Sequence, residues 1–146
     1  MQALLADPTN LELVRSLTSP DITYVSLNYD NPELKKVMPW CGTGYGPEVI
    51  VKTFQQVGES WKKQEFDIRE IFGSGENVAV FGSMTYQSVQ LGKAITSPFA
   101  MLAKVRDGKV RYLQFMEDTF GTASSFRTGV APGISRACPA PGNSRG

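Results

Sequence analysis

Apolar residues recur at helical spacing in two stretches. Leu11, Val14 and Leu17 make a short stripe, and Thr9 with Glu12 three residues on has the pattern of a capping box, which predicts Thr9 as N-cap. After Pro47 a longer stripe follows. Val49, Ile50, Phe54, Val57 and Trp61 fall on one face, while Lys52, Gln55, Gln56 and Glu59 fall largely elsewhere, so the chain should be helical from Pro47 to Trp61. Gly58 weakens that helix without ending it. Between the two helices, residues 21–28 (DITYVSLN) are β-branched and aromatic and predict a strand. Pro32 opens one helical turn. Residues 39–46 hold three glycines and a proline and read as an irregular loop.

From Phe66 onward the pattern is that of strands, over residues 66–72, 78–89, 94–105 and 110–118. Turns separate them at Gly73–Asn77, Leu91–Lys93 and Asp107–Gly108, the last a hairpin signal. Gly82 predicts a bend, and Pro98 a bulge or an edge position. Residues 119–126 predict a closing helix. Helices first and strands afterwards argue for an α+β fold. Long strands interrupted by Gly and Pro predict a strongly curved antiparallel sheet wrapped around the N-terminal helices, a conical barrel with an interior. Residues 1–126 make this domain, and residues 127–146, rich in Gly, Pro, Ser and Arg, are expected to be a flexible tail.

Composition narrows the chemistry. The 146 residues carry 15 basic and 14 acidic side chains and no basic stripe, so no nucleic-acid partner is expected. No apolar run is long enough to span a bilayer and no signal-peptide pattern is present, so no membrane partner is expected and the expected location is cytoplasmic. Cys41 and Cys138 lie far apart, and a structural disulfide is not expected. The chain has no histidine, which removes the commonest general base and the commonest metal ligand. Any proton chemistry falls to carboxylate, tyrosine, lysine, cysteine or water, and neither metal nor cofactor is expected. Residues 42–46 (GTGYG) lack the Lys-Ser/Thr pair of a phosphate loop. Cys41 has only the nearby start of the Pro47 helix to activate it.

Three segments together resemble the SnoaL-like, or nuclear transport factor 2-like, superfamily of cone-shaped α+β proteins. They are Leu17 to Val25, Pro39 to Val49, and Val105 through the hairpin to Thr119. The superfamily includes ketosteroid isomerases, polyketide cyclases, limonene epoxide hydrolases and non-enzymatic binding proteins, so the resemblance implies a fold and a pocket but no one function. Matched to the epoxide hydrolases, Asp118 stands at the last-strand aspartate and Tyr24 at the tyrosine. Ser26 stands where they keep an asparagine, and Gly82 and Met84 where they keep an arginine and a second aspartate. The isomerase acids would fall at Ser26 and Met101, and the cyclase histidine has no counterpart.

The last strand ends in two acids, Glu117 and Asp118, and alternation sends them to opposite faces. Counting from Val110, the inward residues are Tyr112, Gln114, Met116 and Asp118, which makes Asp118 the expected catalytic acid–base group; the bland alternative is that it caps the closing helix or pairs with a buried partner for structural reasons. Tyr24, Ser26, Trp40, Met84, Tyr86, Phe99, Met101, Gln114 and Met116 are the expected pocket residues. Glu117, Leu113 and Phe115 then face outward, towards a homodimer partner. Two functions fit: cofactor-free acid–base catalysis on a small, largely hydrophobic molecule (isomerase, cyclase, dehydratase or hydrolase type), or a non-catalytic ligand-binding or dimerisation module.

Overall fold

The computed structural model describes residues 1–128. The expectations for Cys138 and for most of the C-terminal tail lie outside the described residues. Two short helices come first, α1 (Gln2–Ala6) and α2 (Leu11–Leu17). The N-cap of α2 is Asn10, whose side chain accepts from the Leu13 amide at 3.2 Å, and not the predicted Thr9. Strand β1 (Thr18–Ser26) follows, then α3 (Pro32–Lys35), β2 (Gly42–Tyr45) and the long α4 (Pro47–Ser60). The predicted loop at residues 39–46 thus contains a strand. Gly42 at φ 116° and Gly46 at φ 92° supply the bends at its ends, and the strand pairs antiparallel with β1.

The remaining strands are β3 (Trp61–Ser74), β4 (Asn77–Ser88), β5 (Ala94–Arg106) and β6 (Lys109–Glu117), closed by α5 (Thr119–Ser124). Trp61 is not the last residue of the helix but the first of β3. The six strands form one sheet in the order β2-β1-β6-β5-β4-β3. All neighbouring pairs are antiparallel except β1 with β6, which is parallel. The sheet curves without closing. Its inner face packs on α4 and α2, and the core includes Ile22, Ile50, Val80, Met101 and Leu113.

Three details set the curvature. Gln64 and Arg69 are extra residues in β3 relative to β4, each a bulge that turns the strand. Gly82 lies beside the second of these, opposite Ile68. A Cβ at Gly82 would lie 2.6 Å from the Phe99 ring and closer still to the Asp67 carbonyl oxygen, so the two strands and the ring close together only over glycine. Pro98 causes no register shift with β4, and β5 pairs with β6 only from Phe99 onward, so Pro98 sits at a local edge. The Asp107–Gly108 turn has both residues at positive φ, 52° and 76°, as a two-residue type I′ hairpin requires.

The Gly82 contact yields a prediction. Gly82→Ala should cost about 2 kcal/mol of unfolding free energy through overpacking against Phe99. Urea denaturation measures it, and a variant as stable as the parent would show that the close approach is not a constraint.

Candidate functional site

The inner face of the sheet and the side of α4 that faces it line a small cavity with about 20 Å³ free, room for roughly one water. The elements supply its lining in a regular way. On β1, Tyr24 and Ser26 lie opposite Leu113 and Phe115 of β6, and β4 gives Met84 and Tyr86. The apolar stripe of α4 gives Phe54 and Val57. Leu27 also reaches the cavity, from a left-handed backbone at φ 70° that is costly for leucine. Its amide donates to the Phe115 carbonyl at 2.8 Å, which fixes the turn out of β1.

One carboxylate enters this lining, and it is Glu117. The expected assignment of the two acids is reversed. β6 carries an extra residue, Arg111, because Val105 pairs with Val110 while Lys104 pairs with Tyr112. Val110 is buried, but past Arg111 the parity switches, and Leu113 and Phe115 are the buried residues. Glu117 continues their face. Asp118 does not point into the cavity. It is exposed and caps α5, its Oδ1 accepting from the Gly121 amide at 3.1 Å, while its own amide donates to Ser97 Oγ at 3.0 Å.

The surroundings of Glu117 are mostly apolar. Its Oε2 is buried without a hydrogen-bond partner among the described residues. Burial pushes its pKa up to about 7; the Thr122 hydroxyl nearby offsets part of this, and the adjacent Asp118 charge adds to it. Burial also holds the Tyr24 phenol well above its usual value, partly offset by Ser26, with the Glu117 charge adding to the rise. Tyr86 is pushed up to about 12 by burial, with the Glu117 charge adding to it. Both phenols therefore stay protonated while Glu117 titrates near neutrality. Such a set is one titrating carboxyl with fixed O–H donors around it.

Of the other expected pocket residues, Tyr24, Ser26, Trp40, Met84 and Tyr86 line this cavity. Phe99 and Met101 are buried in the core and do not line it: Phe99 is stacked between Phe66 at 4.6 Å and Phe115 at 5.4 Å. Gln114 and Met116 lie on the opposite face, where the Arg111 bulge turns them. There Gln114 accepts from the Tyr112 hydroxyl at 2.9 Å, and Met116 is 49% exposed. Sequence reasoning missed Glu117, Leu27, Thr53, Phe54, Val57, Trp61 and Phe115 as lining residues. Phe54, Val57 and Trp61 were visible as one helical stripe, and the stronger apolar character of Leu113 and Phe115 over Tyr112 and Gln114 was the available signal for the face of Glu117.

An aromatic cluster closes one end. Trp40 and Trp61 meet edge to face at 5.3 Å, Phe126 stacks on Trp61 at 4.9 Å, and Trp61 Nε1 donates to Ser125 Oγ at 2.8 Å. Cys41 is buried, and burial raises its thiol, so it lacks the environment of a reactive thiolate. Among the described residues no three Cys, Asp or Glu side chains group as a metal site would need, and no helix is long and apolar enough to cross a membrane.

The chain is similar to two fungal proteins. It is 47% identical over 117 residues to "Patulin synthesis protein F" of Aspergillus clavatus, covering 78% of this chain and 59% of that protein. It is 44% identical over 123 residues to "Patulin biosynthesis cluster protein F" of Penicillium expansum, covering 82% and 61%. The chain therefore spans about three-fifths of the length of the curated relatives it matches. Among solved structures, an NTF2-like protein of unknown function from Burkholderia pseudomallei superposes with a TM-score of 0.71 at 17% identity, covering 86% of this chain and 92% of that one, which is a likeness of fold. The SnoaL-like domain matches residues 4–113, across both the helices that roof the cavity and most of the sheet that forms it; the chain belongs to the SnoaL-like domain family.

Proposed function

We propose that this chain processes a small, largely hydrophobic molecule by proton transfer at Glu117. The observation that carries this reading is the Glu117 carboxyl itself: its Oε2 is buried without a partner among the described residues, and it lies in a cavity that also presents the side chains of Tyr24, Ser26 and Tyr86. In the ionised form Glu117 takes a proton from a carbon acid or a water. Tyr24, protonated throughout, donates a hydrogen bond to the oxygen on which charge develops. The carboxyl then returns the proton. Isomerisation, cyclisation, dehydration and hydrolysis all draw on this shuttle. The names of the two fungal relatives place them in the synthesis of a small molecule, and we assign this chain a step of that general kind.

The second reading is a non-catalytic ligand-binding or dimerisation module in which Glu117 sets specificity or structure without turnover; the small free volume counts against a substrate seated beside the carboxyl unless the lining moves. In either case we propose a homodimer. Its face cannot be the one expected from Leu113 and Phe115, which are buried inside. The outer face of the sheet instead shows Phe72, Phe81 and Met116, 58%, 47% and 49% exposed, with the Phe72 and Phe81 rings stacked at 6.1 Å.

The proton-transfer reading is tested on a ligand found by thermal-shift screening of small terpenoids, steroids and aromatic polyketides. Glu117→Gln should lower kcat by 10²–10⁴-fold, with the parent's kcat/KM rising with pH to a plateau above about 7. Asp118→Ala should cost about 1 kcal/mol of stability as a lost helix cap and leave turnover nearly unchanged. Undiminished turnover in Glu117→Gln would overturn Glu117 as the proton-transfer group, whereas a ligand bound by the parent without turnover would favour the binding reading.

The same carboxyl ties stability to pH. Its folded pKa lies above the ordinary 4.5, so the folded state holds the proton more tightly than the unfolded chain. The stability this contributes is full below about pH 4.5 and is lost as pH rises through about 7. The unfolding free energy of the parent should therefore fall, relative to Glu117→Gln, by up to about 3 kcal/mol between pH 4.5 and 8. Parallel denaturation curves at every pH would mean that Glu117 is not desolvated.

Sedimentation velocity checks the dimer. The parent should sediment as a dimer and Phe81→Lys as a monomer, and a monomeric parent would refute the proposed interface.

A further inference from the structure

A second cavity adjoins the first, between the α1–α2 connection, the C-terminal half of α4 and the start of β3. Its lining includes Leu5, Pro8, Phe54, Gly58, Lys63 and Phe66. It also shares Val57, Trp61 and Tyr86, along with Phe54, with the Glu117 cavity, so four side chains form the wall between the two. About 170 Å³ is free here, against about 20 Å³ in the inner cavity. A molecule seated in the outer cavity therefore reaches Glu117 only by displacing part of this wall. Trp61 is held by its bond to Ser125 and its stack on Phe126. Phe54, Val57 and Tyr86 are only half-buried, and they are the members free to yield.

Two residues of the outer cavity stand out. Lys63 is the one charged side chain in its lining. It pairs across the ladder with Tyr86, so both side chains lie on the inner face of the sheet. Among the described residues no carboxylate forms an ion pair with it. Gly58 is the second. It sits in α4 where a Cβ would meet nothing within 4 Å. Almost any other residue would suit the helix better, and what glycine leaves there is open space over the cavity.

We propose that the outer cavity is the entry subsite of the Glu117 pocket. Its occupant is a small molecule with a flat aromatic or otherwise apolar body and one anionic group, held at Lys63. The anion is then kept at the end of the paired cavities that Glu117 does not line, and the apolar body lies along Phe54, Phe66 and Tyr86 towards the carboxyl. This inference rests on the reading of Glu117 as the proton-transfer group, and it fixes the substrate class for that reading.

The probe is 1-anilinonaphthalene-8-sulfonate, which has an aromatic body and one anion, followed by its fluorescence at pH 8. The parent should bind one molecule per chain. Gly58→Leu, whose Cβ meets nothing within 4 Å, adds a side chain at the chamber and should weaken binding at least tenfold while melting no lower than the parent. Lys63→Gln should weaken binding several-fold and flatten its dependence on salt. No binding, or binding indifferent to both the Gly58 and Lys63 substitutions, overturns the proposal. The failure of the catalytic reading is seen separately, as Glu117→Gln retaining turnover while the Gly58 and Lys63 effects on the probe persist.

Discussion

A single extra residue, Arg111, decides which acid enters the cavity. Strand faces alternate strictly, so one inserted residue inverts the face of everything beyond it. Before the bulge Val110 faces the core, and after it Leu113, Phe115 and Glu117 do. The burial of Leu113 and Phe115 holds this register. Slipping β6 by one residue would expose both and bury Gln114 and Met116 in their place, at a cost of several kcal/mol by area. Placing Glu117 inside is thus a by-product of a register fixed by stronger apolar terms. The desolvation of one carboxyl, about 3 kcal/mol at high pH, is smaller than what holds the strand.

The rest of the site follows from the same sheet. The parallel pairing of β1 with β6 brings Tyr24 and Ser26 level with Leu113 and Phe115, so hydroxyls and carboxyl reach one cavity from adjacent strands. The bulges of β3 and the Gly82–Phe99 contact curve the sheet over α4. Leu27 accepts a strained backbone to line the cavity, as is common where a chain must aim a side chain into a site. The Trp40–Trp61–Phe126 cluster seals one end and leaves the Phe54–Tyr86 wall as the side through which the two cavities meet.

Much of the fold was legible in the sequence, because long periodic segments carry their own signal. The Pro47 helix, the four-strand meander and the Asp107–Gly108 hairpin follow the pattern, except that β3 starts at Trp61, five residues before the expected Phe66. β2 was not legible: Gly42 and Gly44 carry no strand pattern, and the segment is a strand because β1 offers it an edge. The bulge at Arg111 was not legible either, since nothing in local composition marks an unpaired residue. That one omission moved the expected site from Glu117 to Asp118 and turned Gln114 and Met116 the wrong way. The chemistry of the residues, with Leu and Phe at 113 and 115 against Tyr and Gln at 112 and 114, held the correction.

The chemistry proposed for this fold rests on Glu117, in a histidine-free chain, being a desolvated carboxyl that titrates near neutrality. Carbon-13 NMR of the glutamate side-chain carboxyls, with the Glu117 resonance assigned by its loss in Glu117→Gln, measures this directly. A Glu117 midpoint near pH 7 is the result the structure predicts. A midpoint near the ordinary 4.5 would show a carboxyl in contact with water and would contradict the account.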